Sequence, residues 1–209
     1  MGALSGNNIH ECMMLKKNNT DRRKQKTQRA LREALHALMF EKRYDDILVQ
    51  DILDRADIGR STFYTYFPDK NALLLDSLQG LHTFLRDVQL ATPVVSEKAY
   101  EKVIGFSLAM FEHVHAHQQL HQSLKGGGWI LVSQRIEDIL VQLMKQEARP
   151  LFKQPASNMP FDLLMHVLGA TYMSVLTWWQ QSNWVLSPQE INALFRALVI
   201  PVLVECLSA

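Results

Sequence analysis

Seven polar side chains within residues 60–70 are of the types that meet a polyanion: Arg60, Ser61, Thr62, Tyr64, Thr65, Tyr66 and Lys70. A guanidinium such as that of Arg60 can hold guanine through two hydrogen bonds, and Ser61 or Thr65 can meet several base edges or a thymine methyl. The phenol hydroxyls of Tyr64 and Tyr66 suit phosphate oxygens. Lys70 falls in the first turn of a predicted helix, where a cation opposes the helix dipole unless an anion occupies that end. Upstream, residues 16–43 hold ten Lys/Arg against three Asp/Glu, a net of +7, with Arg22 and Lys26 among them. Such a field attracts a polyanion, although charge alone fits a solvated helix face equally well.

His113, His117 and His121 recur every fourth residue. Histidines at that spacing bind zinc or nickel when a further ligand arrives, for which His166 and Glu112 are the candidates. Against a metal, the row straddles an expected helix break near residue 117 and contains no Cys or Asp. The other readings are a polar lining for a ligand pocket and ordinary surface or packing histidines. No metal or cofactor is assigned. The chain is not read as an enzyme: it offers no nucleophile–base pair and no HExxH-type run, and Gly126-Gly127-Gly128 follows a helix rather than a strand.

Helical periodicity positions these side chains. Residues 1–19 are polar and aperiodic and read as a mobile tail. From Thr20 to about Arg43, Ala30, Leu31, Ala34, Leu35, Leu38 and Met39 form one stripe of an amphipathic helix. Two short helices, 49–56 and 60–66, follow, joined by a tight turn at Asp57-Ile58-Gly59, where Asp57 tolerates a left-handed backbone less well than glycine does. Behind a basic helix, such a pair makes a DNA-reading unit. Pro68 ends the second helix, and Asp69 caps a longer one to about Leu90. Further helices are expected at 96–116, 118–124, 129–149, 161–181 and 188–207, giving an all-α fold.

The bulk properties agree. The 209 residues are 47% hydrophobic with 22 basic and 21 acidic side chains, enough for a sizeable core and unlike disordered or disulfide-rich chains. Residues 1–70 carry a net +3 and the remainder −2. Cys12 and Cys206 are far apart in the chain and form no metal or redox motif. No apolar run approaches the ~20 residues that cross a bilayer. Without a secretory signal, the expectation is a soluble cytoplasmic protein with no membrane partner.

The run from Val49 to Lys70, continued by Leu73, resembles the N-terminal domain of TetR-family (TetR/AcrR-like) transcriptional regulators. Its most diagnostic part is Phe63-Tyr64-x-Tyr66-Phe67-x-x-Lys70-x-x-Leu73. The strong match covers about residues 22–75. A weaker one runs from Phe111 through His113 and His117 to Gly126-Gly127-Gly128, and over Leu176, Trp178 and Trp179. Three positions depart from the family pattern. Leu48 stands where Ser or Thr is usual, Asp57 replaces Gly, and Gly59 replaces the Ser cap of the recognition helix.

The resemblance implies three parts: the tail at 1–19, a three-helix helix-turn-helix domain at 20–68, and a helical effector-binding and dimerisation domain at 69–209. It implies a cytoplasmic homodimer on double-stranded DNA, a repressor released from a palindromic operator by a small, largely hydrophobic effector. The candidate effector pocket is Phe106, Met110, His113, His117, Trp129, Met144, His166, Tyr172 and Met173; most of these are equally at home in an ordinary core. The candidate dimer interface is Phe161, Leu168, Tyr172, Val175 and Trp179 with Leu194, Leu198 and Val202, although both stripes could instead bury within one subunit. The alternatives are a metal-dependent sensor or enzyme built on the histidine row, and a helical adaptor that has lost DNA binding through its altered caps.

Overall fold

The computed structural model describes residues 7–93, 96–152 and 159–207, with side chains for 21–93, 99–152 and 159–207. The described residues are helical throughout, without strands. Their contacts divide into two compact units, 1–74 and 75–209.

The first unit contains α1 (Asn7–Glu41), a 3-10 turn (Tyr44–Asp46), α2 (Val49–Ala56), α3 (Arg60–Tyr66) and the start of α4 (Lys70–Ser77). The apolar stripe of α1 does what its spacing dictates: Leu31, Ala34, Leu35, Leu38 and Met39 are buried, alongside Ile52, Leu53, Phe63 and Phe67. Helix α1 starts at Asn7, so the chain is helical through residues expected as a tail; no proline or glycine interrupts 7–19, and extending an existing helix costs little. Residues 1–6 of that expected tail lie outside the described residues.

The turn between α2 and α3 is built as its residue types allow. Asp57 adopts the left-handed conformation (φ 52°, ψ 49°), and its N–H donates to the Leu53 carbonyl. The Ile58 N–H reaches the same carbonyl at 3.1 Å. Phe67 is extended before Pro68, and the Asp69 carboxylate accepts the Ala72 N–H at 2.8 Å, opening α4.

The second unit holds the end of α4, then α5 (Gln79–Ala91), a 3-10 segment (Ser96–Ile104), α6 (Ser107–Ala116), α7 (Gln118–Ser123), α8 (Gly127–Ala148), α9 (Phe161–Gln181) and α10 (Pro188–Leu207). Two expected long helices are each divided. The first breaks at Leu78, between α4 and α5, and the second is 3-10 before Gly105. Gly105 is required there, because a Cβ would sit 2.6 Å from the Thr92 hydroxyl oxygen.

The core of this unit is aromatic. Phe111 stacks on Tyr172 at 4.6 Å, and Phe106, Trp179 and Phe195 close around them. The Tyr172 hydroxyl donates to the Ser107 carbonyl at 3.3 Å, which satisfies its one polar group. The buried Gln89 amide reaches the carbonyls of Lys102, Val103 and Leu143, each at 3.3 Å.

Candidate nucleic-acid interface and effector region

Helix α2 begins at Leu48, which has no side-chain acceptor for the free N–H groups of the first turn. Asp51 compensates in part. Its carboxylate accepts the Leu48 N–H at 2.7 Å and the Lys42 ammonium at 2.6 Å. The Lys42 hydrogen bond, then that of the Leu48 backbone, holds the Asp51 carboxyl below its usual range. Arg55 pairs with Glu41 at 2.8 Å, fastening the far end of α2 to α1.

Helix α3 buries Phe63 and exposes the other face. Arg60, Ser61, Tyr64 and Thr65 are exposed, while Thr62 and Tyr66 are half-buried. The Thr65 hydroxyl donates back to the Ser61 carbonyl at 2.9 Å. Arg60 donates to the Gln50 side-chain oxygen at 3.0 Å, and the Gln50 amide donates to Asp54 at 2.7 Å. Gln50 and Asp54 were not among the sequence candidates. The available signal was a polar side chain in the first turn of the leading helix, which becomes informative only once the two helices are docked. Arg22, Arg23, Lys24 and Lys26 are all exposed on α1.

Lys70 departs from expectation. Its ammonium donates to the carbonyls of Tyr44 (2.9 Å), Asp45 (3.2 Å) and Ile47 (2.7 Å) and lies 4.6 Å from the centre of the Tyr44 ring. All three of its protons are committed within the fold, so its charge caps the carbonyls of the 3-10 turn instead of standing free for a phosphate. Burial pulls its pKa down, opposed by Asp45, Asp46 and Asp51.

Of the effector-pocket candidates, Phe106, Met110, Met144 and Tyr172 are fully buried in the core. His166 and His117 are exposed and His113 is half-buried. Trp129 and Met173 alone line the cleft of about 420 Å³ between α8 and α9, with Ser133, Glu137, Thr177 and Trp178 among its other walls.

The histidine row is broken at His117, between α6 and α7. His113 and His117 are 4.4 Å apart between ring centres, and the His117 Nδ1 meets the His113 carbonyl at 2.8 Å. His121 sits 6.0 Å from the Trp129 ring, and burial, with smaller contributions from His113 and His117, pulls its pKa down to about 4. Among the described residues, no group of three or more His, Cys, Asp or Glu side chains could hold a metal ion.

The dimer candidates separate by face. Phe161, Leu168, Tyr172 and Trp179 turn inward and are buried within the subunit, a correction to the expected stripe. The reason is that α9 is apolar on both faces, so periodicity identifies a stripe but not which stripe meets the core. Val175 and Val202 are half-buried, and Leu194 and Leu198 are exposed. The outward stripe of α9 is Leu163, Val167, Ala170, Ser174 and Trp178.

Residues 31–76 match the family described as bacterial regulatory proteins, tetR family. Over 94 residues the chain is 33% identical to YuxN of Bacillus subtilis (strain 168), an uncharacterized HTH-type transcriptional regulator. That stretch is 43% of this chain and spans about a third (31%) of YuxN. The fold is similar to that of a TetR transcriptional regulator from Streptococcus agalactiae 2603V, with a TM-score of 0.62 and 23% identity over 88% of this chain and 98% of that one. It is also similar to a protein assigned to the same family from Syntrophomonas wolfei str. Goettingen, with a TM-score of 0.65 and 18% identity over 87% and 96% of the two chains.

Proposed function

We propose that the chain is a DNA-binding transcriptional regulator of the TetR family, whose model its residues 31–76 match, and that it acts as a homodimeric repressor released from a palindromic operator by a small molecule. On that reading it is a transcription factor rather than an enzyme. The observation that carries the proposal is the division of α3, with Phe63 fully buried and Arg60, Ser61, Tyr64 and Thr65 exposed. A helix anchored by one aromatic and presenting hydrogen-bonding side chains outward suits the major groove. The exposed cations of α1 supply sequence-independent attraction to phosphate.

The second copy is argued from apolar exposure. Leu163, Val167 and Trp178 of α9 are 52%, 46% and 51% exposed, and Leu194 and Leu198 of α10 are 50% and 60% exposed. Contiguous apolar faces of this kind are paired when a subunit assembles, and a two-fold axis would set α9 and α10 against the same helices of the partner. Two recognition helices then meet successive turns of a symmetric site. No helix among the described residues is long and apolar enough to cross a membrane. A regulator of this kind acts where the bacterial chromosome lies, in the cytoplasm.

The test is to recover the genomic fragments that the purified protein retains and to footprint the best of them. Protection of two half-sites about one helical turn apart supports the reading. Fragments retained without any shared sequence would overturn it.

A further inference from the structure

Helices α8 and α9 run antiparallel, with Lys145 paired to Asp162 and the two helices close at Gly169, where a Cβ would lie 2.7 Å from Val141 Cγ2. Beyond Gly169 the seam opens into the cleft of about 420 Å³, a size suited to a drug-sized molecule. The walls combine two indoles, Trp129 and Trp178, with Met173, the hydroxyls of Ser133 and Thr177, and one carboxylate. That carboxylate, Glu137, is the single charged group of the lining, is half-buried, and enters no ion pair among the described residues. Arg135, two residues along α8, is exposed and does not line the cleft. Trp178 stands at once in the cleft and on the outward stripe of α9.

Indole rings attract cations through their electron-rich faces, and a partly desolvated carboxylate without a partner favours a positive ligand and rejects an anion. Resting on the reading that a small molecule controls this regulator, we propose that the α8–α9 cleft is its effector site and that it takes an aromatic organic cation, recognised by Trp129, Trp178 and Glu137. The ligand class adds a positive charge to the small, largely hydrophobic molecule expected from the sequence, and the charge preference comes from Glu137.

The test is calorimetric titration of the full chain with naphthalenes of matched shape bearing trimethylammonium, tert-butyl or carboxylate. The cation should bind on the order of ten-fold tighter than the neutral isostere, with the carboxylate weakest. Glu137→Gln should remove the difference between cation and isostere while the oligomeric state and the operator affinity stay unchanged. Equal affinities in the wild-type series, no cation binding at millimolar concentration, or a preference that survives Glu137→Gln would each overturn the proposal. The wild-type series decides the charge preference without relying on any variant. Operator affinity is measured separately with and without the cation. Binding with the stated preference but no change in operator affinity would uphold a cation site and overturn control by that ligand.

Discussion

The Arg60 guanidinium donates to Gln50 Oε1 at 3.0 Å, so the first residue of α3 is tied to the first turn of α2 before any DNA is present. Gln50 is itself held by Asp54, which makes a chain of three side chains across the helix-turn-helix. A base that takes Arg60 must compete with Gln50 or accept it as a co-reader. Arg60→Ala should relax the choice of base at one position of each half-site, at about 1–3 kcal/mol of discrimination. Tyr64→Phe should weaken all sequences alike. Affinities across a panel of operator variants separate the two outcomes.

Lys70 answers to a different measurement. Lys70→Ala leaves three carbonyls without their cationic donor and should destabilise the N-terminal unit by about 1–2 kcal/mol, allowing for partial exposure. Denaturant unfolding checks this. If stability held and the salt slope of DNA binding fell by about one unit, Lys70 would be contacting phosphate after all.

Two of the three departures from the family pattern, Gly59 and Leu48, are weak points that can be repaired. Gly59 has ordinary φ (−68°) and open space where a Cβ would go, so Gly59→Ser adds the missing cap without a clash. Leu48→Thr supplies an acceptor at the start of α2, where the leucine is 65% exposed. Each should raise stability by about 0.5–1 kcal/mol. Thermal melting of the single and double variants would show the gains, which should nearly add.

The helix-turn-helix was legible in the sequence because its determinants are local. Ile52 and Phe63 bury as their spacing requires, Asp57 takes the left-handed turn, and α2, α3, α9 and α10 have the expected bounds. What was not legible depends on distance along the chain. Lys70 is satisfied by backbone carbonyls 23 to 26 residues away, which leave no mark in side-chain type. Phe161, Leu168, Tyr172 and Trp179 look like an interface stripe until Phe111 and Phe195 are seen to occupy the space beside Tyr172.

That correction yields opposite outcomes for two leucines. Leu198→Glu changes an exposed position of α10 and should leave folded monomers where the wild type, on the proposed pairing, should sediment as a dimer. Leu168→Ala removes buried volume and should cost about 2–5 kcal/mol of subunit stability. Sedimentation velocity and unfolding, applied to both variants, would expose any exchange of roles.

Acid should loosen the C-terminal unit through His121. Its pKa falls from an ordinary 6.5 to about 4 on folding, so the unfolded chain binds the proton more readily. Stability is therefore fully present above pH 6.5 and declines as pH falls from about 6.5 toward 4, at up to about 1.4 kcal/mol per pH unit. His121→Gln should flatten that limb. A pH series of unfolding midpoints that is identical in the two proteins would remove His121 as the cause.

Trp178 and Trp179 are neighbours in the chain, yet one is 51% exposed and the other fully buried. Trp179 lies 4.8 Å from Trp184, which a left-handed backbone (φ 59°) at the end of α9 folds back over it, and 5.7 Å from His115. Its indole N–H is fixed by the Leu186 carbonyl at 2.8 Å. Trp129 and Trp178 therefore stand at the cleft, Trp179 is sealed beside an imidazole, and Trp184 is half-buried next to it. A solvent-borne contact quencher reaches the cleft pair and spares Trp179. The residual emission then serves as an internal standard, so the protein can report occupancy of its own cleft without an attached dye.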